Sequence, residues 1–139
     1  MSMKFPILNT RWPSLIWTAL IFVLLSIRVD DLNKGSFLNI PHLDKVVHVF
    51  LFGILVFLWA RRYFHNSSAD VFKKLIIRIF ALSCLYGIAL EFYQKYFTQR
   101  SFDGGDILAD IAGSGISYWA FWHFYKKISP YRNRGRNQN

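Results

Sequence analysis

Leu75 to Phe97 reads LIIRIFALSCLYGIALEFYQKYF, and this stretch decides the fold. It exceeds the roughly 20 residues that a helix needs to cross a bilayer's hydrocarbon core. Arg78 stands near its start and a single carboxylate, Glu91, lies deep inside it. In lipid the backbone has to satisfy its own N–H and C=O groups, so such a run is a helix, and it is too long and too evenly apolar for a barrel strand.

Working outward, the pattern recurs. An earlier run extends from Asp44 to Ala60 and stops at Arg61-Arg62, followed by the polar patch His65-Asn66-Ser67-Ser68 and by Lys73-Lys74. A later one extends from Asp106 to Tyr125 and stops at Lys126-Lys127, after a loop over 98–105 broken by Gly104-Gly105. The first run, Trp12 to Ile27, lies between Arg11 and Arg28. Its basic leader resembles a signal peptide, but Asp30-Asp31 follows in place of a small-x-small cleavage site, so a retained helix is expected. Residues 29–43, with Gly35 and Pro41, read as a loop. The expected architecture is an all-α membrane protein, a bundle of four transmembrane helices over residues 12–125. Residues 1–11 precede it, and residues 126–139 follow as a basic, disordered tail. No internal repeat and no separate soluble domain is visible.

Composition agrees. Hydrophobic residues make up 53% and aromatic residues 19% of the 139, with 14 Phe and 5 Trp. Charged residues make up 18%, against about 25% in soluble domains. The net charge of +9 would suit nucleic acid, but the basic residues flank the apolar runs instead of lining one face, which excludes that partner. The single cysteine, Cys84, sits within an apolar run and reads as a small packing residue.

The basic residues also set orientation. Lys4, Arg11, Arg61, Arg62, Lys73, Lys74, Arg78 and the tail's Lys126, Lys127, Arg132, Arg134 and Arg136 fall on one side. Arg28, Lys34, Lys45, Lys95 and Arg100 fall on the other. The positive-inside rule places both termini in the cytoplasm (N-in/C-in). The acids run the other way: apart from Asp70, all lie on the outer side or in the outer part of a helix.

Three stripes of polar residues at helical spacing then share one depth. They are Asp44, Lys45 and His48; Gly87, Glu91, Gln94 and Thr98; and Asp106, Asp110, Gly113 and Ser117. Charge in the membrane is costly unless paired or wet, so the stripes are expected to converge between helices. Plainer readings exist for individual members. Asp44 and Asp106 suit the first turn of a helix, and Lys45, Lys95 and Arg78 can snorkel. Glu91 could make a structural ion pair with Lys45 or Arg100. Gly113 and Gly115 fit close helix packing, and Tyr118 to Tyr125 fits an interfacial aromatic belt.

The order Asp44-Lys45-x-x-His48, Glu91-x-x-Gln94 and Arg100-x5-Asp106-x3-Asp110-x-x-Gly113 resembles the VanZ-like family of bacterial membrane proteins, over about residues 40–118. This chain departs from the family pattern in carrying Asp110 where Asn is usual. The resemblance implies an integral protein of the bacterial inner membrane and cell envelope. Its namesake is associated with resistance to the lipoglycopeptide teicoplanin.

Two functions are expected to compete. In the first, Asp44, Lys45, His48, Glu91, Gln94, Arg100, Asp106 and Asp110 form an outward-facing pocket. It binds a membrane lipid headgroup, an envelope precursor or a lipoglycopeptide-type antibiotic. In the second, the protein is a membrane-embedded hydrolase or transferase acting on a lipid-linked substrate. His48, Glu91 and Asp106 are its catalytic candidates, with Asp44 or Glu91 tuning His48. An ion-coupled transporter is disfavoured because no inverted repeat exists. No cofactor is expected, and the Asp/Glu/His spacing is too loose to define a divalent-metal site.

Overall fold

The computed structural model describes residues 10–27, 42–98 and 101–136. It contains four helices: α1 (Trp12–Ser26), α2 (Leu43–Asn66), α3 (Ala69–Phe97) and α4 (Gly104–Arg136). Arg28, Lys34 and Arg100 lie outside the described residues.

α2, α3 and α4 are longer than the apolar runs, because arginine and lysine end apolarity without ending helicity. α2 continues through Arg61-Arg62 and α3 begins before Lys73-Lys74, so Ser67 and Ser68 alone separate them. The patch expected as a loop is a tight helix–helix turn, closed by Ser67 N–H donating to Tyr63 O at 3.0 Å and Phe72 N–H to Ser68 O at 2.9 Å. α4 likewise extends to Arg136, so the expected tail is helical up to that residue. Once a long helix is nucleated, each added residue gains a hydrogen bond. Gly104-Gly105, expected as a breaker, instead opens α4.

Hydrogen bonds between helices give the registers. Trp59 Nε1 donates to Thr18 Oγ1 (3.4 Å), Tyr86 OH to Thr18 O (2.9 Å) and Gln94 Nε2 to Leu25 O (2.8 Å). α1 therefore runs parallel to α3, and α2 antiparallel to both. Ser117 Oγ donates to Gly53 O at 2.6 Å, which sets α4 parallel to α2. Neighbours in sequence alternate in direction. The start of α2, the end of α3 and the start of α4 share one end.

Two apolar clusters hold the bundle. Ile21, Leu25, Leu51, Phe52, Leu55 and Leu90 join α1 to α2 and α3. Ala60, Phe72 and Ile76 form the second, at the opposite end, with Tyr118, Phe121 and Trp122 packed on it. The aromatic end of α4 is thus partly core, since Phe121 lies 5.4 Å from Phe57 and 6.4 Å from Phe72. Trp119 and Phe124 remain exposed.

The outside of the bundle is apolar and its centre polar. Phe50, Leu82, Leu85, Leu108 and Ile116 are all more than 60% exposed, while Glu91, Asp106 and Asp110 are at most 3% exposed. A soluble monomer rarely exposes apolar surface on this scale, and lipid makes the arrangement favourable. Two helices, Leu43–Phe64 and Asp70–Phe97, are long and apolar enough to cross a bilayer.

α2 and α4 meet where Gly113 lies against the Val49 backbone, and a Cβ on Gly113 would overlap the Val49 carbonyl. Gly113→Ala is therefore expected to destabilise the protein by about 1–3 kcal/mol, the usual range for overpacking. Gly115→Ala, whose Cβ would meet only Phe80 at 3.9 Å, is expected to be neutral or stabilising, since alanine favours the helix. Thermal unfolding in detergent compares the two.

Candidate functional site

The polar end is built by the first turns of α2 and α4 and the last turns of α3. Spacings of three and four place Lys45 and His48 on one face of α2, and Asp106 and Asp110 on one face of α4. Because these helices run parallel, Lys45 meets Asp106 and His48 meets Asp110. Lys45 Nζ lies 3.1 Å from Asp106 Oδ1, and His48 Nδ1 lies 2.9 Å from Asp110 Oδ1.

His48 and Asp110 are buried at 2% and 1% exposure. With Asp110 ionised and the imidazole neutral, this contact puts the proton on Nδ1 and a lone pair on Nε2. Nε2 is buried without a hydrogen-bond partner and lies 3.9 Å from Asp106 Oδ2. Asp110 Oδ2 also has no partner, and it faces Gly87 of α3: a Cβ there would come within 2.5 Å of it. Glycine at 87 thus gives Asp110 its room. Asp110, and neither Asp44 nor Glu91, is the carboxylate hydrogen-bonded to His48.

Lys45 gathers a second group of acids. Its Nζ lies 2.5 Å from Asp103 Oδ2 and 3.6 Å from Asp44 Oδ2, in addition to Asp106. Asp44, Asp103 and Asp106 each offer an oxygen within 4.8 Å of the others, a spacing that could hold a metal ion. The Lys45 ammonium already serves all three, and a divalent ion would have to displace it. With its charge matched this way, Lys45 is poorly disposed to hold an anionic ligand on its own.

Asp103 was not legible as a site residue. It precedes α4 and caps it: Oδ1 accepts from Gly105 N–H at 2.7 Å, its own N–H donates to Glu91 Oε2 at 3.1 Å, and Oδ2 takes Lys45. One residue thus ties α2, α3 and α4 together. The available signal was an aspartate just before a helix start, where N-cap residues concentrate. The Lys45 ammonium and the Gly105 N–H hold the Asp103 carboxyl below the usual carboxylate range.

Of the expected set, the structure brings together Asp44, Lys45, His48, Glu91, Asp106 and Asp110. Gln94 is directed elsewhere, its amide tying α3 to α1 through Leu25 O. Arg100 lies outside the described residues. Ser83 and Ser114, one turn deeper, share a hydrogen bond of 2.8 Å between α3 and α4.

An apolar helical exterior around a buried set of ionisable groups points to a helical membrane protein with a polar centre buried between its helices. A family model described as VanZ/LLP1 matches residues 3–125, and the chain belongs to that family. It is 32% identical over 101 residues to Uncharacterized protein C11E3.10 of Schizosaccharomyces pombe, an alignment covering 70% of this chain and 57% of that relative's length. No solved structure matches significantly.

Two outcomes follow from this geometry. Lys45→Met leaves the buried Asp106 without its cation and is expected to lower the melting temperature clearly. Asp70→Asn should barely change it, because Asp70 is 92% exposed and lies 4.0 Å from Lys73 Nζ. The Asp103 contribution is present above the ordinary carboxylate range and fades as pH falls through its lowered folded value. Melting temperature should therefore decline on acidification less steeply in Asp103→Asn than in the wild type, with thermal unfolding against pH as the measurement.

Proposed function

We propose that this protein crosses a bacterial cytoplasmic membrane four times, with both termini inside, and that its outward-facing polar centre acts on a lipid-linked substrate. The Lys and Arg asymmetry supports the orientation. α4 falls short as an average apolar helix because its acids face α2 and α3, while Leu108, Ile116 and Trp119 face out. α1, at 15 residues, rises roughly 22 Å and would need tilted neighbours or local bilayer thinning.

The observation that carries the chemistry is the oriented His48–Asp110 pair with Nε2 left open beside Asp106. This is the arrangement of a general base whose orienting carboxylate holds the tautomer. His48 Nε2 would take the proton of an attacking hydroxyl or water as the new bond to the substrate's phosphorus or acyl carbon forms. It would return that proton to the oxygen that leaves. Asp106, fixed by Lys45, lies where it can stabilise the imidazolium.

A second reading is favoured by the burial of His48. Hydrolysis needs water at Nε2, whereas recognition does not. In that reading the centre binds a lipid headgroup, an envelope precursor or a lipoglycopeptide-type antibiotic without turnover, and any part in teicoplanin-type resistance would act through binding.

Purified protein in liposomes, presented with polyprenyl phosphates, polyprenyl diphosphates and glycerophospholipids, separates the two. Under the enzymatic reading one class is turned over and His48→Ala lowers the rate by about 10²-fold or more, the scale of a lost general base. Binding of one of these lipids by wild-type protein, with no turnover of any, would leave the binding reading standing and remove the enzymatic one.

A further inference from the structure

Beyond the polar centre, with Tyr86 and Ser83 at its near end, α1, α2 and α3 leave a cavity of about 460 Å³ between them. That is within the range of about 300–1,000 Å³ typical of small-molecule sites. Leu15, Leu55, Trp59, Ile79 and Leu82 supply much of its wall. The polar groups that reach it are already used within the protein. Trp59 Nε1 donates to Thr18 Oγ1, Thr18 Oγ1 to Ser14 O, Tyr86 OH to Thr18 O, and Ser83 shares its hydrogen bond with Ser114. A ligand there is offered mainly apolar contact, which suits a hydrocarbon chain.

One end of this cavity is basic. Arg11 is one turn before Leu15 on α1, Arg62 lies three residues beyond Trp59 on α2, and Arg78 is one turn before Leu82 on α3. Spacings of three or four put each arginine on the face of the wall residue it follows or precedes. α2 runs opposite to α1 and α3, so all three lie toward the same end of the bundle, away from His48, with Arg62 level with the wall residue Tyr63. Arg62 stacks over the Tyr63 ring, itself part of the wall, at 5.5 Å. Asp70 is the acid described at this end, and it faces Lys73.

We propose that this cavity is a binding site for an anionic glycerophospholipid of the leaflet on the Arg62 side. One acyl chain fills the space between α1, α2 and α3, and the phosphate headgroup lies among Arg11, Arg62 and Arg78. Snorkelling alone would put arginines anywhere around the bundle at this depth. Here the three stand within one turn of wall residues on three different helices, and charge and shape together select an anionic amphiphile. The site is independent of the His48 chemistry and stands or falls separately from it.

The test is lipid retention measured by native mass spectrometry. Protein is extracted from vesicles of phosphatidylcholine mixed with phosphatidylglycerol, and each bound lipid is counted. Wild-type protein is expected to retain phosphatidylglycerol preferentially. Each of Arg11→Gln, Arg62→Gln and Arg78→Gln is expected to reduce that preference about fivefold, the scale of one basic group beside an anionic lipid surface. Ile79→Trp, which fills the cavity, should abolish retention of both lipids. Leu82→Trp serves as a second filler, with circular dichroism checking that each variant folds. Equal retention of the two lipids by wild type, an unchanged preference in all three arginine variants, or full retention in a folded filler variant would overturn the proposal. So would displacement of the bound lipid by soluble glycerol 3-phosphate, which would mark a site for a free anion.

Discussion

A carboxylate withdrawn from water must meet a partner, and in this bundle it meets that partner on another helix. Asp106 is held by Lys45, and Asp110 by His48, across the α2–α4 interface. Helices in lipid gain little from burying apolar faces on one another, since the acyl chains outside are equally apolar. Pairing of buried polar groups is therefore what specifies which faces of α2, α3 and α4 turn inward. It also brings the polar ends of three helices to one depth, because an acid displaced by a turn would be left unpaired at a cost of several kcal/mol.

Small residues let that pairing happen. Gly113 admits the Val49 backbone, and Gly87 leaves space for the Asp110 carboxylate. A side chain at either position would hold the helices apart and lengthen the contacts they need. The polar and packing designs are thus one design: glycine sets the interhelical distance, and the distance sets the geometry of His48 with Asp110. α1 has no such grip on α4. It touches α2 and α3 through Trp17, Thr18 and Leu25, leaving a cavity beside the Thr18 contacts.

The two ends of the molecule consequently differ in character. The end with His48 gathers acids around one lysine and one histidine, which suits proton transfer and the stabilisation of cationic charge. The end with Arg62 gathers arginines around hydrocarbon-lined space. Membership of the VanZ/LLP1 family covers both ends, since the match spans residues 3–125.

By itself the sequence determined that the chain is helical, that it belongs in lipid, and which residues share a helix face. These follow from the length of the apolar runs, the demand of backbone groups in hydrocarbon, and the 3.6-residue repeat, all of which are local. Helix ends were legible only to within a turn or more, because Arg61-Arg62 and Lys126-Lys127 mark where lipid stops and not where hydrogen bonding stops. Tertiary structure alone decided the partners. The sequence pointed to Asp44 or Glu91 for tuning His48, and the parallel register of α2 and α4 chose Asp110 instead. Gln94 shared a stripe with Glu91, yet the offset of about 60° between positions three apart on a helix turned it to α1. Asp103 looked like a loop residue until the start of α4 carried it to Lys45. Each choice depends on helix separation and register, and those are set by the summed packing of residues far apart in the chain, which no local pattern records.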